Sequence, residues 1–123
     1  DTTLIAESEL CECRLMHNAH FPWIILVPKV LEAVELEDLS QDQQHQLLTE
    51  IHKAGAALKA IAPCDKLNIA TLGNQVSQLH IHVIARTKAD AAWPNPVWGG
   101  PVKAYSESEL AERLTQLRTT LAV

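Results

Sequence analysis

The stretch Gln78-Leu79-His80-Ile81-His82-Val83-Ile84 decides how this chain is read. From Gln78 to Val83, polar and branched apolar side chains alternate. On a strand, successive side chains point to opposite faces. Gln78, His80 and His82 then share one face, and Leu79, Ile81 and Val83 share the other. The apolar set needs a core, so the imidazoles are displayed in a row on the opposite face. The glycine turn Leu72-Gly73-Asn74 leads into this segment. The pattern predicts a strand over Leu67 to Leu72 and a long one over Val76 to Arg86, paired as a hairpin.

Working outward, Trp23 to Val27 is a near-continuous apolar run, the mark of a well-buried strand, and Pro28 ends it. Cys11 to Met16 reads as a strand with Cys11, Cys13 and Leu15 on one face. Leu4 to Leu10 matches neither period. Asn18 to Pro22 is a turn. Ser40 with Gln43 forms a capping box, in which two side chains satisfy each other's orphan backbone donors. Leu47, Leu48, Ile51, Leu58 and Ile61 follow at helical spacing until Pro63. Ser106 with Glu109 opens a second helix carrying Leu110, Leu114, Leu117 and Leu121. Asp90 to Pro101 holds three prolines, two glycines and two tryptophans and is a loop. Its tryptophans are expected to pack on the sheet in preference to touching a substrate. Hairpins and separate helices give an α+β domain on an antiparallel sheet, one face of which can stay solvated.

A length of 123 residues sets the expectation of one domain, 1–123. The net charge of -5, with no basic run, argues against nucleic-acid and anionic-membrane partners. No apolar run approaches the roughly 18 residues of a membrane helix, and no signal-peptide pattern opens the sequence. Three cysteines, an odd number, do not make a disulfide framework and fit a reducing cytoplasm. Cys11 and Cys13 are expected to be buried free thiols. His45 and His52, seven apart on a polar helix face, are expected to be solvated.

Three readings of the histidine face are open. It can be half-exposed surface. It can be a zinc site, with His17 or His20 as a third ligand; no convincing carboxylate or cysteine lies near it in sequence, so no metal is expected. Or it can be a nucleophilic site. A neutral imidazole attacks phosphorus through one nitrogen, while an acceptor on the other nitrogen fixes its tautomer. A neighbouring imidazole can then donate to a phosphate oxygen.

The segment Gly73 to Ile84 resembles the histidine triad (HIT) superfamily, whose motif is His-φ-His-φ-His-φ-φ (φ apolar) after a Gly-rich turn. Pro22 to Pro28 resembles the family's strand ending in Leu-Val-Pro. The central helix and the Trp-Pro-rich tail also fit, so the likeness runs from about Cys11 to about Gly100. The resemblance implies a HIT-like antiparallel sheet of about five strands with two main helices, in a homodimer with a joined sheet. It implies hydrolysis or transfer at the α-phosphorus of a nucleotide or dinucleoside polyphosphate, without a cofactor. His80 matches the nucleophilic position and His82 the phosphate-contacting one. Asn18 aligns with the ribose contact. Asn68, Asn74 and Gln75 fall where the family meets phosphate or leaving group, and Gln78, at the first triad position, is counted with them as a substrate contact.

Two departures stand out. Gln78 replaces the first triad histidine, but the family uses the backbone carbonyl there as the nucleophile's acceptor, and that group survives the change. Pro28-Lys29 is followed by Val30-Leu31 in place of a histidine, which leaves His20, Lys29 or Arg86 as substitute phosphate ligands. The chain therefore resembles a Gln-containing branch of the superfamily. The alternative to an enzyme is a nucleotide-binding module with little or no turnover.

Overall fold

A computed structural model describes residues 1–121, so the end of the expected 1–123 domain lies outside the described residues. Five strands, β1 (Thr2–Glu7), β2 (Cys11–Met16), β3 (Trp23–Pro28), β4 (Lys66–Ala70) and β5 (Ile81–Arg86), form one antiparallel sheet in the order β1-β2-β3-β5-β4. Helix α1 (Gln41–Ile61) joins β3 to β4, and α2 (Glu107–Leu121) follows the loop after β5. This is the HIT-like α+β architecture expected from the sequence.

Both helices begin at their capping boxes. Ser40 Oγ accepts from Gln43 N at 3.1 Å, and Gln43 Oε1 accepts from Ser40 N at 2.8 Å. Glu109 N donates to Ser106 Oγ at 3.1 Å and Ser106 N to Glu109 Oε1 at 3.0 Å. Helix α1 ends at Ile61, ahead of Pro63. The helices cover one face of the sheet, where Cys11, Cys13, Leu15, Ile24, Leu26, Ile81, Val83 and Ala85 meet Leu47, Ala54, Ala57, Leu58, Leu114 and Leu117. Cys11 and Cys13 are buried free thiols, as expected, and His45 and His52 are exposed.

Three features differ from the sequence reading. The segment whose period was unreadable overlaps β1, an edge strand fixed by its partners. It pairs with β2 through an irregular register, and α2 holds it when Arg118 donates to the carbonyls of Ile5 and Leu4, each at 3.0 Å. Strand β5 begins at Ile81, not at Val76. The β4–β5 ladder stops at Ala70 opposite His82, and Leu79 N donates instead to Ala33 O at 2.8 Å. Residues 71–80 are therefore a loop, with Gly73 in the left-handed region at φ 78°. The third difference is that no solvated histidine face exists along β5, whose six residues are all buried. The second face carries its own small core of Phe21, Trp23, Ile25, Ile84 and Val97 under the tail that follows β5.

Candidate active site

The register places the site. Arg14, Ile25, His82 and Ala70 lie in one transverse row across β2, β3, β5 and β4. His82 projects from β5 onto the tail-covered face. His80, one step before the strand, sits beside it. Their ring centroids are 5.1 Å apart at 74°. His80 is half-buried, whereas His82 is 5% exposed.

His80 Nδ1 lies 2.7 Å from the Gln78 carbonyl oxygen. A carbonyl only accepts, so Nδ1 carries a proton, and in the neutral ring Nε2 keeps its lone pair. This is the backbone acceptor that the Gln-for-His departure was expected to leave intact. The Gln78 side chain turns away, donating to Pro28 O at 3.3 Å. His82 Nδ1 accepts from Trp23 Nε1 at 3.0 Å. Burial, and then the charge of His80, push the His82 imidazole down to about 4. His82 is thus neutral at physiological pH. Trp98 closes over it edge-on, 5.0 Å from His82 and 5.7 Å from Trp23 between ring centroids. The tail tryptophan therefore packs on the sheet and also borders His82.

The remaining candidates fall into two groups. Asn74 and Gln75 are exposed in the loop before His80. Asn18 and Asn68 are tied into the frame. Asn18, 4% exposed, donates from Nδ2 to Pro101 O at 3.2 Å. Its Oδ1 accepts from His20 N at 3.1 Å and Lys103 N at 3.3 Å. It latches the tail. Asn68 Oδ1 accepts from Arg86 Nη1 at 2.9 Å.

Arg86 is corrected outright: it is not a free phosphate ligand. It is 1% exposed and grips Asp90 at 2.8 and 3.0 Å. Nη2 also donates to Asn95 O at 2.8 Å, and the guanidinium lies over Phe21 and Trp93. Burial on this scale needs such partners, because an unpaired interior charge is very costly. Lys29 turns toward Ser8 O, 3.1 Å from its Nζ. His20 is half-buried beside Phe21.

A cleft of about 380 Å³ is lined in part by Met16, His17, Asn18, Trp23, Val97 and Trp98, and its two tryptophans border His82. His17 does not reach the histidine pair; it shares a 2.6 Å hydrogen bond with Thr3. Among the described residues, no group of three or more His, Cys, Asp or Glu side chains is arranged to hold a metal ion. Among them, too, no helix is long and apolar enough to cross a membrane.

Sequence reasoning placed Trp23 in the strand that could line a base pocket, but it missed the hydrogen bond from Trp23 to His82 and the anchoring of Arg86 by Asp90. Trp23 looked like core. Its usable signal was chemical: a buried indole N–H needs an acceptor. Asp90 had no signal beyond its place four residues after Arg86.

This fold, with two histidines two residues apart at the start of β5, defines a histidine triad-type protein. The family model of the HIT domain matches residues 1–89, and the chain belongs to that family. A histidine triad protein from Bradyrhizobium japonicum is 47% identical, with 98% of this chain and 91% of that chain covered and a TM-score of 0.95. One from Marinobacter aquaeolei is 41% identical over 98% and 89% of the two chains, with a TM-score of 0.93. A hypothetical histidine triad nucleotide-binding protein from Sulfolobus tokodaii, 16% identical over 98% and 84%, has a TM-score of 0.75 and bears on the fold alone. No curated protein matches the chain.

Proposed function

We propose that the chain is a nucleotide hydrolase or nucleotidyl transferase that works at the α-phosphorus through a covalent nucleotidyl-His80 intermediate. The observation that carries this reading is the 2.7 Å contact between His80 Nδ1 and the Gln78 carbonyl, which leaves Nε2 as a free nucleophile. Attack forms a P–N bond as the bond to the leaving group breaks, and the leaving group departs with the electron pair. The ring then carries positive charge, and the hydrogen bond from Nδ1–H to the carbonyl strengthens as it develops. Water next attacks phosphorus and gives up a proton. The P–N bond breaks, and its electrons return to His80 Nε2. His82 stabilises charge on the phosphoryl oxygens.

The cleft between Met16, Trp23 and Trp98 suits an aromatic base. Asn74 and Gln75, exposed in the 71–80 loop, contact the phosphates. Asn18 and Asn68 act by holding the tail and Arg86, with their side-chain oxygens already engaged. The chain is a single domain that works as a homodimer. Ile69 on the edge strand β4 and Leu48 on α1 are 53% and 67% exposed, and both border one shallow apolar groove. An open strand edge beside apolar surface is suited to pairing with its own copy. The unpaired buried thiols fit a reducing, cytoplasmic setting.

A second reading, a nucleotide-binding module with little turnover, is favoured by the cover that Trp98 and Trp23 place over His82. Intact-protein mass separates the two. Wild type and His80→Ala are mixed with adenosine 5'-phosphoramidate or diadenosine tetraphosphate and quenched from milliseconds to seconds. A transient adenylyl mass in the wild type alone is expected. Nucleotide binding with neither adduct nor turnover would replace the enzyme by the binding module.

A further inference from the structure

Trp23 and His82 are diagonal neighbours across the β3–β5 pair, since Trp23 faces Ile84 and Ile25 faces His82. Diagonal positions are within reach of aromatic side chains. The indole N–H meets His82 Nδ1 at 3.0 Å, and both residues are buried, at 4% and 5% exposure. An indole nitrogen only donates. The contact is therefore a hydrogen bond only if His82 Nδ1 carries a lone pair. A neutral imidazole has one proton, so that proton is on Nε2. The alternative ring would set two N–H groups against each other, at the cost of burying both unsatisfied.

We infer that Trp23 is the positioning residue of the site: its N–H holds His82 as the Nε2–H tautomer, so that His82 meets a phosphoryl oxygen as a hydrogen-bond donor and not as a base. The two histidines are then opposite tautomers. His80 presents a bare Nε2 because its Nδ1–H donates to the Gln78 carbonyl, and His82 presents an Nε2–H because the Trp23 indole N–H donates to its Nδ1 lone pair. One ring is set to attack and the other to stabilise, without a proton having to move between them. The small core of Phe21, Ile25, Ile84 and Val97 fixes the indole. Trp98 touches the same imidazole through its ring edge and makes no hydrogen bond to it.

The catalytic consequence rests on the proposed phosphoryl chemistry, whereas the tautomer does not, and the experiment keeps the two apart. Protein labelled with nitrogen-15 at histidine is studied by long-range nitrogen–proton correlation NMR, which distinguishes protonated from bare ring nitrogens. Four forms are compared: wild type, Trp23→Phe, Trp98→Phe, and Trp23 replaced by benzothienylalanine, which keeps the shape and puts sulfur where the N–H was. His82 should be wholly Nε2–H in the wild type and in Trp98→Phe. It should be a mixture of tautomers in Trp23→Phe and in the isostere. In the isostere, kcat with adenosine 5'-phosphoramidate should fall about ten-fold, the scale of one lost hydrogen bond, with KM little changed. A wild-type His82 protonated on Nδ1, or an isostere that keeps the pure Nε2–H form, would overturn the inference. If the wild type gives no adduct, the phosphoryl reading fails, and the tautomer result still decides the role of Trp23.

Discussion

Replacing Asp90 by Ala should be among the most damaging single changes in this protein, although Asp90 lies in a loop. The guanidinium of Arg86 makes four hydrogen bonds, two of them to Asp90, and the residue is 1% exposed. Asp90 also accepts from Thr87 N at 3.1 Å, Ala92 N at 3.1 Å and Trp93 N at 2.8 Å. The truncation strands a buried cation and opens the turn that starts the tail. Breaking one side of such a pair costs about 3–5 kcal/mol, a large part of a typical stability of about 5–15 kcal/mol. With a urea slope of about 1–3 kcal/mol/M, the midpoint should drop by about 2 M. The double variant Arg86→Met/Asp90→Ala should recover much of the loss, because no charge is left buried. Equilibrium urea unfolding by circular dichroism measures wild type, Asp90→Ala, Arg86→Met and the double variant. A loss below about 1 kcal/mol for Asp90→Ala would refute the argument. So would a double variant as unstable as the sum of its parts. The pH dependence has a definite sign. The Arg86 guanidinium first, working against burial, with the Ala92, Thr87 and Trp93 amides, holds the Asp90 carboxyl well below the usual range. Its contribution is therefore complete above the ordinary pKa of about 4 and fades as pH falls below it.

Other outcomes follow from the same geometry. Gln78→Ala should leave the rate of adduct formation within about three-fold of wild type, since His80 uses the backbone carbonyl at that position; quench-flow mass measurement showing a hundred-fold loss would contradict this. Acid should act through His82. Its folded pKa is lowered from 6.5 to about 4, so between those values the unfolded chain takes a proton that the folded chain refuses. The resulting stabilisation is full above pH 6.5 and falls by about 3 kcal/mol as pH drops to 4. Paired urea titrations of wild type and His82→Asn should show a difference that shrinks over that window, and a pH-independent difference would sink the idea. On the proposed dimer face, Leu48→Asp with Ile69→Lys should convert dimer to monomer in sedimentation velocity while circular dichroism is unchanged. A wild type that sediments as a monomer, or a variant that stays dimeric, would move the interface elsewhere.

Much of the fold was legible because local rules carried it. The capping boxes at Ser40 and Ser106 set both helix starts, and the apolar run from Trp23 fixed a buried strand. The alternation around His80 and His82 located the site, and the acceptor for His80 was a backbone group that no side-chain substitution removes. The sequence by itself thus determined the family, both helices, the strands from Cys11 and Trp23, and the pair of imidazoles, all of which depend on spacing along the chain. Tertiary structure alone decided which group hydrogen-bonds His82, what covers it and where β5 begins. These outcomes rest on partners distant in sequence: Trp23 for His82 across 59 residues, Ala33 O for Leu79 N, and Pro101 O and Lys103 N for Asn18. Alternation shows which side of a strand a residue takes. It cannot show that the polar side will be roofed by a tail from elsewhere, and that roof made Arg86 an anchor and buried His82.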